Sequence, residues 1–320
     1  MDGKTPLDKQ SENKMKTIKL KGYQDFELVG YLWDKVENPV GVVQIIHGMQ
    51  EHAKRYNDFA KFLNKNGLIV FASDLRGHGE TALINNLPLG YSDGDIFMEI
   101  VQDQIIITDY LKDKFNLPIT IFGHSFGSFI SQRYMIENGF KIKNIILCGS
   151  TYTNNMLYKS GYVLAKICRF FKGKKAKARL IEKLSIRSYG KNFKNGNWLT
   201  RDEKIFEEYR KDELCGRSFP NNFYWSFFKN ARHNYKKLSN IPFYLPIFII
   251  SGTDDPVMGK KGLHKLFFKY GLANKKVFLK TYLGARHELI NEINKEEVYN
   301  DIKEFAIDST IAHIKVQTEV

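Results

Sequence analysis

A serine between two glycines is the residue of this chain best suited to act as a nucleophile. The segment Gly123-His124-Ser125-Phe126-Gly127 follows the apolar run Ile119 to Phe122 and precedes a helix-like segment, Ser128 to Gly139. A G-x-S-x-G turn between a strand and a helix presents the serine hydroxyl at a sharp, strained bend. Ser125 is therefore the candidate nucleophile.

A serine needs two partners before it can attack an ester at neutral pH: a histidine that takes its proton and an acid that orients the imidazole. The apolar run Pro246 to Ile250 is followed by Asp254 and Asp255, and the run Lys276 to Leu283 is followed by His287. The order serine, acid, histidine is the one expected with a G-x-S-x-G turn. Ser125, one of the two aspartates and His287 are predicted to form a triad.

Acyl transfer also needs hydrogen-bond donors for the oxyanion of the tetrahedral intermediate. One donor is expected from the residue after the nucleophile, and the other from the loop after the third strand. Val42 to Ile46 has the pattern of that strand, and His47-Gly48-Met49-Gln50 follows it. The predicted donors are the backbone N–H groups of Met49 and Phe126, and the Met49 side chain is expected to narrow the acyl site.

Four motifs occur in a fixed order along the chain: HGMQEHAKRY at 47–56, DLRGHG at 74–79, GHSFG at 123–127 and GARHE at 284–288. Together they resemble the monoacylglycerol lipase and lysophospholipase branch of the α/β-hydrolases, often described as serine-aminopeptidase-like. The resemblance covers roughly residues 17 to 150 and 241 to 310. It does not extend to residues 151 to 240, where no motif matches.

The resemblance implies an α/β-hydrolase fold and roles for particular residues. In the family pattern the acid lies three residues after a glycine, which from Gly252 selects Asp255 over its neighbour Asp254. The implied triad is Ser125, Asp255 and His287. Met49 and Phe126 are implied to form the oxyanion hole.

The segments around the motifs alternate between strand and helix patterns. Such alternation predicts a mostly parallel sheet with helices on both faces and chemistry at the carboxyl ends of the strands. An antiparallel pair of strands, at Ile18 to Leu20 and Phe26 to Trp33, is predicted to precede the alternation. A helix at Val298 to His313 is predicted to follow its last strand. Between them the sequence predicts strands at Val42 to Ile46, Ile69 to Ala72, Ile119 to Phe122 and Ile142 to Cys148, and helices at Tyr56 to Asn66, Ile96 to Phe115 and Phe129 to Asn138.

The alternation stops after Ser150 and resumes at Ile241. We therefore expect a flexible N-terminal tail at residues 1–15, a hydrolase core at 16–150 and 241–320, and a helical cap at 151–240. The cap segment has 21 Lys+Arg against 7 Asp+Glu, so it carries the whole net charge of +14, and it holds 17 aromatic residues. The sequence thus predicts a basic, aromatic-rich cap over a neutral core.

Two features of the cap allow alternative interpretations. The cluster Lys172, Lys174, Lys175, Lys177 and Arg179 could be a solvated helix face, or it could attract anionic lipid headgroups at a membrane surface. The interleaved aromatic residues favour the second interpretation. The run 223–228 could pack the cap on the core or line an acyl pocket, and the pocket is favoured. Nucleic acid is not a predicted partner, because no recognition module accompanies the basic and aromatic residues.

No metal or cofactor is predicted. His47, His52, His78 and His124 lie on loops near the expected site, but the carboxylate-rich spacing of a metal centre is missing. After His287 the zinc motif H-E-x-x-H fails, since Asn291 occupies the second ligand position. The glycines of 77–79 do not continue as a dinucleotide fingerprint.

The sequence favours a cytoplasmic location, with peripheral membrane contact as an added option. Cys148, Cys168 and Cys215 show no C-x-x-C pairing, which indicates reduced thiols. No run of 18 apolar residues or secretion signal is present. Oligomeric state has no signature in the sequence.

The predicted function is a serine hydrolase that cleaves carboxylic esters of single-acyl lipids, of the monoacylglycerol or lysophospholipid type, through an acyl-enzyme. The alternatives are a short-chain carboxylesterase, an aminopeptidase-like amidase, and a hydrolase fold retained as a binding protein with weak activity. Headgroup and acyl length are set by the cap, which has no recognisable motif.

Overall fold

An eight-stranded sheet forms the centre of the structure, a computed structural model that describes residues 15 to 273 and 276 to 309, with the backbone alone at position 260. The order across the sheet is β1-β2-β4-β3-β5-β6-β7-β8, and β2 alone runs antiparallel to its neighbours. The mostly parallel sheet confirms the predicted fold class. The strands are β1 (Lys16–Lys21), β2 (Glu27–Trp33), β3 (Gly41–Ile46), β4 (Leu68–Ser73), β5 (Ile119–His124), β6 (Asn144–Cys148), β7 (Pro246–Gly252) and β8 (Lys276–Tyr282).

The composition of each strand follows its place in the sheet. β3, β4, β5, β6 and β7 are buried along their whole length, and their nearly continuous apolar sequences are typical of parallel strands covered on both faces. β1, at the edge, alternates isoleucine and leucine with exposed lysines. Charged side chains on an edge strand discourage pairing with another chain.

Helices cover both faces of the sheet, as the alternating pattern predicts. One face packs against α3, α4 and α10 and the other against α1 and α11, which gives two buried apolar clusters. Residues 1–14 of the predicted tail and residues 310–313 of the predicted closing helix lie outside the described residues. The core helices are α1 (Asn57–Lys65), α2 (Gly79–Ile84), α3 (Ile96–Phe115), α4 (Phe126–Asn138), α10 (Gly259–Gly271) and α11 (Lys295–Asp308).

The segment between β6 and β7 is helical, and its longest helices pack on one another and on the core. α9 contacts α5 within this segment and α3 and α4 of the core. Asn155 and Asp202 begin two of the helices by accepting backbone N–H groups with their side chains, the usual role of such residues at an N-cap. The exact limits of core and cap stay a prediction. The helices of the segment are α5 (Met156–Lys172), α6 (Arg179–Leu184), α7 (Ile186–Tyr189), α8 (Glu203–Lys211) and α9 (Asn221–Ala231).

The topology brings the ends of several strands to one place. β3 has β4 on one side and β5 on the other, and ligands of open α/β sheets bind where the strand order reverses in this way. The loops after β3 and β5 carry the predicted oxyanion donors and nucleophile. Along the described ranges, no helix is both long enough and apolar enough to cross a membrane.

Candidate active site

Ser125 lies at a strained turn between β5 and α4. Its backbone angles are φ 50° and ψ −115°, a combination that non-glycine residues rarely adopt and that clusters at functional sites. The flanking glycines permit the turn: a Cβ at Gly123 would lie 2.7 Å from the carbonyl oxygen of Gly127, and a Cβ at Gly127 would overlap the carbonyl oxygen of Ile46. The start of α4 is thereby held against the end of β3.

The loops after β7 and β8 bring an acid and a histidine together. His287 Nδ1 donates to Asp255 Oδ2 at 2.9 Å, and Asp255 Oδ1 accepts the Val257 N–H at 2.8 Å. Because the carboxylate can only accept, the proton of the neutral imidazole lies on Nδ1. His287 Nε2 is left as an acceptor; it is buried and has no hydrogen-bond partner among the described residues.

The neighbouring aspartate has a different environment. Asp254 is exposed, and its carboxylate accepts a hydrogen bond from the Thr253 hydroxyl at 3.3 Å. Asp255, in contrast, is 3% exposed. Of the two candidate acids, Asp255 is the one that contacts the imidazole of His287.

A cavity of about 620 Å³ extends between the sheet and the helical segment, and Ser125 and His287 both line it. Such a volume is typical of a site for a small organic molecule. Leu157 and Leu184 line the cavity and are also exposed to solvent, so they mark its mouth. Other cavity-lining side chains from the cap segment are Tyr158, Leu164, Ile181, Ile186, Tyr189, Trp198, Tyr224, Phe227 and Phe228.

The aromatic run of α9 serves both of the purposes that its sequence allowed. Tyr224, Phe227 and Phe228 line the cavity. Phe223 instead packs on Phe126 of the core, with ring centroids 5.1 Å apart. The helix therefore forms a wall of the cavity and the contact between cap and core.

Residues 47 to 52 form the loop after β3, which we call the oxyanion loop after its predicted role, and Met49 of this loop lines the cavity. The Leu75 N–H donates to His47 Nε2 at 3.0 Å, so the proton of this ring lies on Nδ1, which donates to the Gly48 carbonyl at 2.8 Å. Burial lowers the pKa of His47, which keeps the ring neutral. The Gly48 carbonyl and the Met49 N–H belong to one trans peptide group and point to opposite sides of it. The hydrogen bond from His47 to the Gly48 carbonyl therefore also orients the N–H of Met49.

Glu51 is the centre of a buried cluster of charges at the wall of the cavity. Its Oε1 accepts hydrogen bonds from the Gly48 N–H at 2.6 Å, the Tyr56 hydroxyl at 2.9 Å and His124 Nδ1 at 3.0 Å. Its Oε2 accepts from Arg55 at 2.7 Å. A buried carboxylate is tolerated when it is paired and hydrogen-bonded in this way.

The cluster continues from Glu51 to the loop that carries the candidate histidine base. Arg55 makes two hydrogen bonds to Glu288, at 2.7 and 2.6 Å, in the bidentate geometry that guanidinium groups favour. His124 Nε2 lies 3.3 Å from the carbonyl oxygen of His287. The loops after β3, β5 and β8 are thus tied together at the wall of the cavity.

The charges in this cluster set the protonation of its members. Burial acts to raise the pKa of Glu51, but the hydrogen bond from His124 and the charge of Arg55 outweigh it, and the pKa lies well below the ordinary value. Burial acts to lower the pKa of His124, but the hydrogen bond and charge of Glu51 outweigh it, and the pKa is raised. Both shifts favour an ionised Glu51–His124 pair.

The sequence analysis assigned no role to several residues of the site. Glu51, Arg55 and Glu288 lie within the motifs that carry the family resemblance. A charged residue beside the end of a buried strand indicates that a partner of opposite charge must exist. Trp198 stacks near His287 with ring centroids 5.0 Å apart. It comes from the cap segment, where the sequence offers no motif that could identify it.

His52, Asp212 and Cys215 are the group of described residues whose donor atoms could surround a metal ion, since these atoms lie within 4.8 Å of one another. Their contacts fit a hydrogen-bonded pair better. His52 Nε2 is already 2.7 Å from Asp212 Oδ2. Burial raises the pKa of the Cys215 thiol, whereas zinc binds the thiolate.

A model of the serine aminopeptidase family S33 matches residues 37 to 294 of this chain. The chain belongs to this family. It is 24% identical over 287 residues to the monoacylglycerol lipase of Mycolicibacterium smegmatis, covering 89% of this chain and 95% of that one. It is 23% identical over 279 residues to a Bacillus subtilis protein named Phospholipase YtpA, covering 85% and 96%.

The fold is shared with a solved structure. A thermostable carboxyl esterase from Bacillus coagulans, in complex with glycerol, superimposes with a TM-score of 0.81 at 24% identity, covering 91% of this chain and 97% of that one. The α/β-hydrolase fold that the motifs imply is therefore confirmed.

The raised pKa of His124 predicts a pH-dependent contribution to stability. The charged pair stabilises the fold below the ordinary histidine pKa of 6.5, and this contribution is lost as pH rises through the higher pKa of folded His124. We expect the free energy of unfolding to fall as pH rises above 6.5, and to fall less in H124Q. Denaturant titrations at each pH measure it.

The control for this experiment is H264Q, because His264 is an exposed histidine on α10. Its stability should follow the pH dependence of the wild type. Parallel curves for the wild type and H124Q would contradict an ionised Glu51–His124 pair.

Proposed function

We propose that this protein is a serine hydrolase that cleaves carboxylic esters of single-acyl lipids, of the monoacylglycerol or lysophospholipid type. The observation that carries the proposal is the buried, unpartnered Nε2 of His287, in the cavity that Ser125 also lines, with Asp255 2.9 Å from the other ring nitrogen. The mostly apolar cavity suits an acyl chain. The names of the two relatives agree with a lipid ester as substrate.

In the proposed mechanism, the Ser125 hydroxyl attacks the ester carbonyl while His287 Nε2 takes its proton. Asp255 stabilises the imidazolium, and the N–H groups of Met49 and Phe126 stabilise the oxyanion. His287 then passes the proton to the leaving alcohol, and the acyl-enzyme forms. Water, deprotonated by His287, attacks the acyl-enzyme and releases the fatty acid.

The triad assignment predicts a sharp difference between two adjacent aspartates. D255N should lower kcat for p-nitrophenyl esters by about 10⁴-fold, because the histidine loses the group that holds its tautomer and stabilises its charge. S125A should abolish turnover and labelling by a fluorophosphonate probe. The matched control is D254N, which should retain nearly full activity. An inactive D254N beside an active D255N would overturn the assignment.

Amidase activity is the second candidate, because the family model carries the name of an aminopeptidase. An aminopeptidase site needs an acidic group for the substrate ammonium. Glu51 and Glu288 line the cavity, but both are already paired with Arg55. The cavity wall therefore offers Glu51 and Glu288 only as carboxylates already paired with Arg55, which disfavours a substrate with a free ammonium group.

A substrate panel separates these candidates. We expect kcat/KM for a long-chain monoacylglycerol or lysophospholipid to exceed that for an aminoacyl p-nitroanilide by at least about 100-fold, since binding of the acyl chain lowers the barrier only for the lipid. Activity should rise with acyl length as more chain is buried. Faster cleavage of the aminoacyl amide would select the amidase, and a flat response to acyl length would select a short-chain esterase.

We propose further that the cap contacts an anionic membrane surface. Val163, Ile167, Phe170 and Phe171 are exposed on α5, the last two at 81% and 78%, and their spacing places them along one side of the helix. Exposed lysines accompany them at positions 159, 166 and 172. Apolar side chains with flanking basic residues are typical of helices that lie in a lipid interface. A cytoplasmic location also stays a prediction.

The membrane proposal predicts that F170S/F171S weakens binding to vesicles that contain phosphatidylglycerol by about tenfold or more, because two large apolar side chains no longer enter the lipid. Binding of the wild type should weaken as salt is added. Co-sedimentation with vesicles measures both effects.

A matched control exists in a second exposed aromatic pair, Phe243 and Tyr244, outside the cap. The variant F243S/Y244S should bind vesicles as the wild type does. Equal losses in the two double variants, or binding that does not depend on salt, would contradict docking through α5.

A further inference from the structure

The oxyanion loop contacts the cap through Gln50 and His52. Gln50 Nε2 donates to Glu182 Oε1 at 3.2 Å and to the Tyr224 hydroxyl at 3.5 Å, and the Gly216 N–H donates to the Gln50 carbonyl at 2.9 Å. His52 Nε2 lies 2.7 Å from Asp212 Oδ2. Three of these four contacts are made by Gln50, the residue that directly follows the proposed oxyanion donor Met49. The cap thus holds the loop immediately beside the donor.

Gln50 has a backbone conformation that needs support. Its φ of 60° lies in the left-handed region, which is strained for residues other than glycine. The side chain that causes the strain is also the one that reaches the cap, where it is 7% exposed. Loss of the cap contacts would therefore allow the loop to relax toward commoner backbone angles.

Glu182 is a rigid acceptor for this side chain. Its Oε1 also accepts the Phe219 N–H at 2.8 Å and the Tyr224 hydroxyl at 3.1 Å, and its Oε2 accepts the Ser218 hydroxyl at 2.7 Å. The residue is 2% exposed. These bonds fix the carboxylate within the cap, so the position of Gln50 follows that of the cap.

The core holds Gly48, the residue on the other side of Met49. The Gly48 N–H donates to Glu51, and the Gly48 carbonyl accepts from His47. The Met49 N–H therefore lies between one anchor in the core and one in the cap. Its direction depends on both.

We propose that Glu182 and Asp212 are positioning residues for catalysis: they hold Gln50 and His52 so that the N–H of Met49 points at the oxyanion. The proposal rests on the proposed function. Under this proposal turnover requires the cap to be docked on the core, because a cap that moves away carries the carboxylates of Glu182 and Asp212 with it. Neither residue touches the substrate in this scheme; Glu182 acts through Gln50 and Asp212 through His52.

The test is a double-mutant cycle on Gln50 and Glu182, with p-nitrophenyl ester turnover as the readout. We expect Q50A and E182A each to lower kcat by about 10- to 100-fold, less than the full loss of an oxyanion donor, with KM changed by less than about threefold. Q50A/E182A should be no slower than Q50A. E182Q should restore kcat to near the wild-type value, because its carbonyl oxygen can still accept from Gln50.

A second arm tests Asp212 and the oxyanion directly. D212A should lower kcat and D212N should not, since the amide oxygen remains an acceptor for His52. Affinity for a trifluoromethyl ketone, whose adduct places an oxyanion in the hole, should fall in proportion to kcat in E182A and D212A. Affinity for an alkylglycerol ether, which fills the cavity without an oxyanion, should stay unchanged.

The matched control is N222A, which removes buried cap-to-core hydrogen bonds from Asn222 to the carbonyls of Ser92 and Gly94, away from the oxyanion loop. It should keep kcat even if thermal unfolding shows a loss of stability. The proposal would be overturned if the effects of Q50A and E182A on kcat multiplied in the double mutant, or if N222A lost as much kcat. It would also be overturned if the single variants raised KM at constant kcat. A wild type that fluorophosphonate does not label would instead refute the proposed function.

Discussion

The carboxylate of Glu51 is the interaction on which the geometry of the site depends. It lies where the loops after three separate strands meet, and it binds the oxyanion loop through the Gly48 N–H and the nucleophile turn through His124. Through Arg55 it is linked to Glu288, beside the candidate base. Without a single buried anion at this point, the three loops would have no shared partner to fix their distances.

That anion is stable in the interior only because the sequence surrounds it with donors. Each oxygen of Glu51 is hydrogen-bonded, and both a guanidinium and an imidazole compensate the charge. A buried ion pair of this kind contributes little net stability, since desolvation offsets much of the attraction. Its value lies in specificity: loss of any one partner leaves a charge uncompensated, so alternative loop arrangements are disfavoured.

The sequence predicted the core well because the requirements there are local. The G-x-S-x-G turn follows from contacts that a Cβ at Gly123 or Gly127 would forbid, and the parallel strands follow from uninterrupted apolar runs. The contact of Asp255 with His287 joins two strand ends that neighbour each other in the sheet. The cap was less predictable. Glu182 looks like a solvated charge in the basic segment RLIEKL, yet it is buried, and one of its hydrogen-bond partners, Gln50, is 132 residues away. No periodicity or motif carries such information.

The separation between core and cap has a consequence for how such enzymes can diversify. The candidate nucleophile, acid and base all come from core loops, while most of the cavity wall comes from the segment between β6 and β7. Exchange of that segment could change which molecules are accepted and leave the reacting groups in place. The junction at Gln50 limits this freedom, because a transplanted cap would have to supply an acceptor at the same position. In this architecture the cavity wall could therefore change by exchange of a whole segment, whereas the contact with Gln50 would have to be kept.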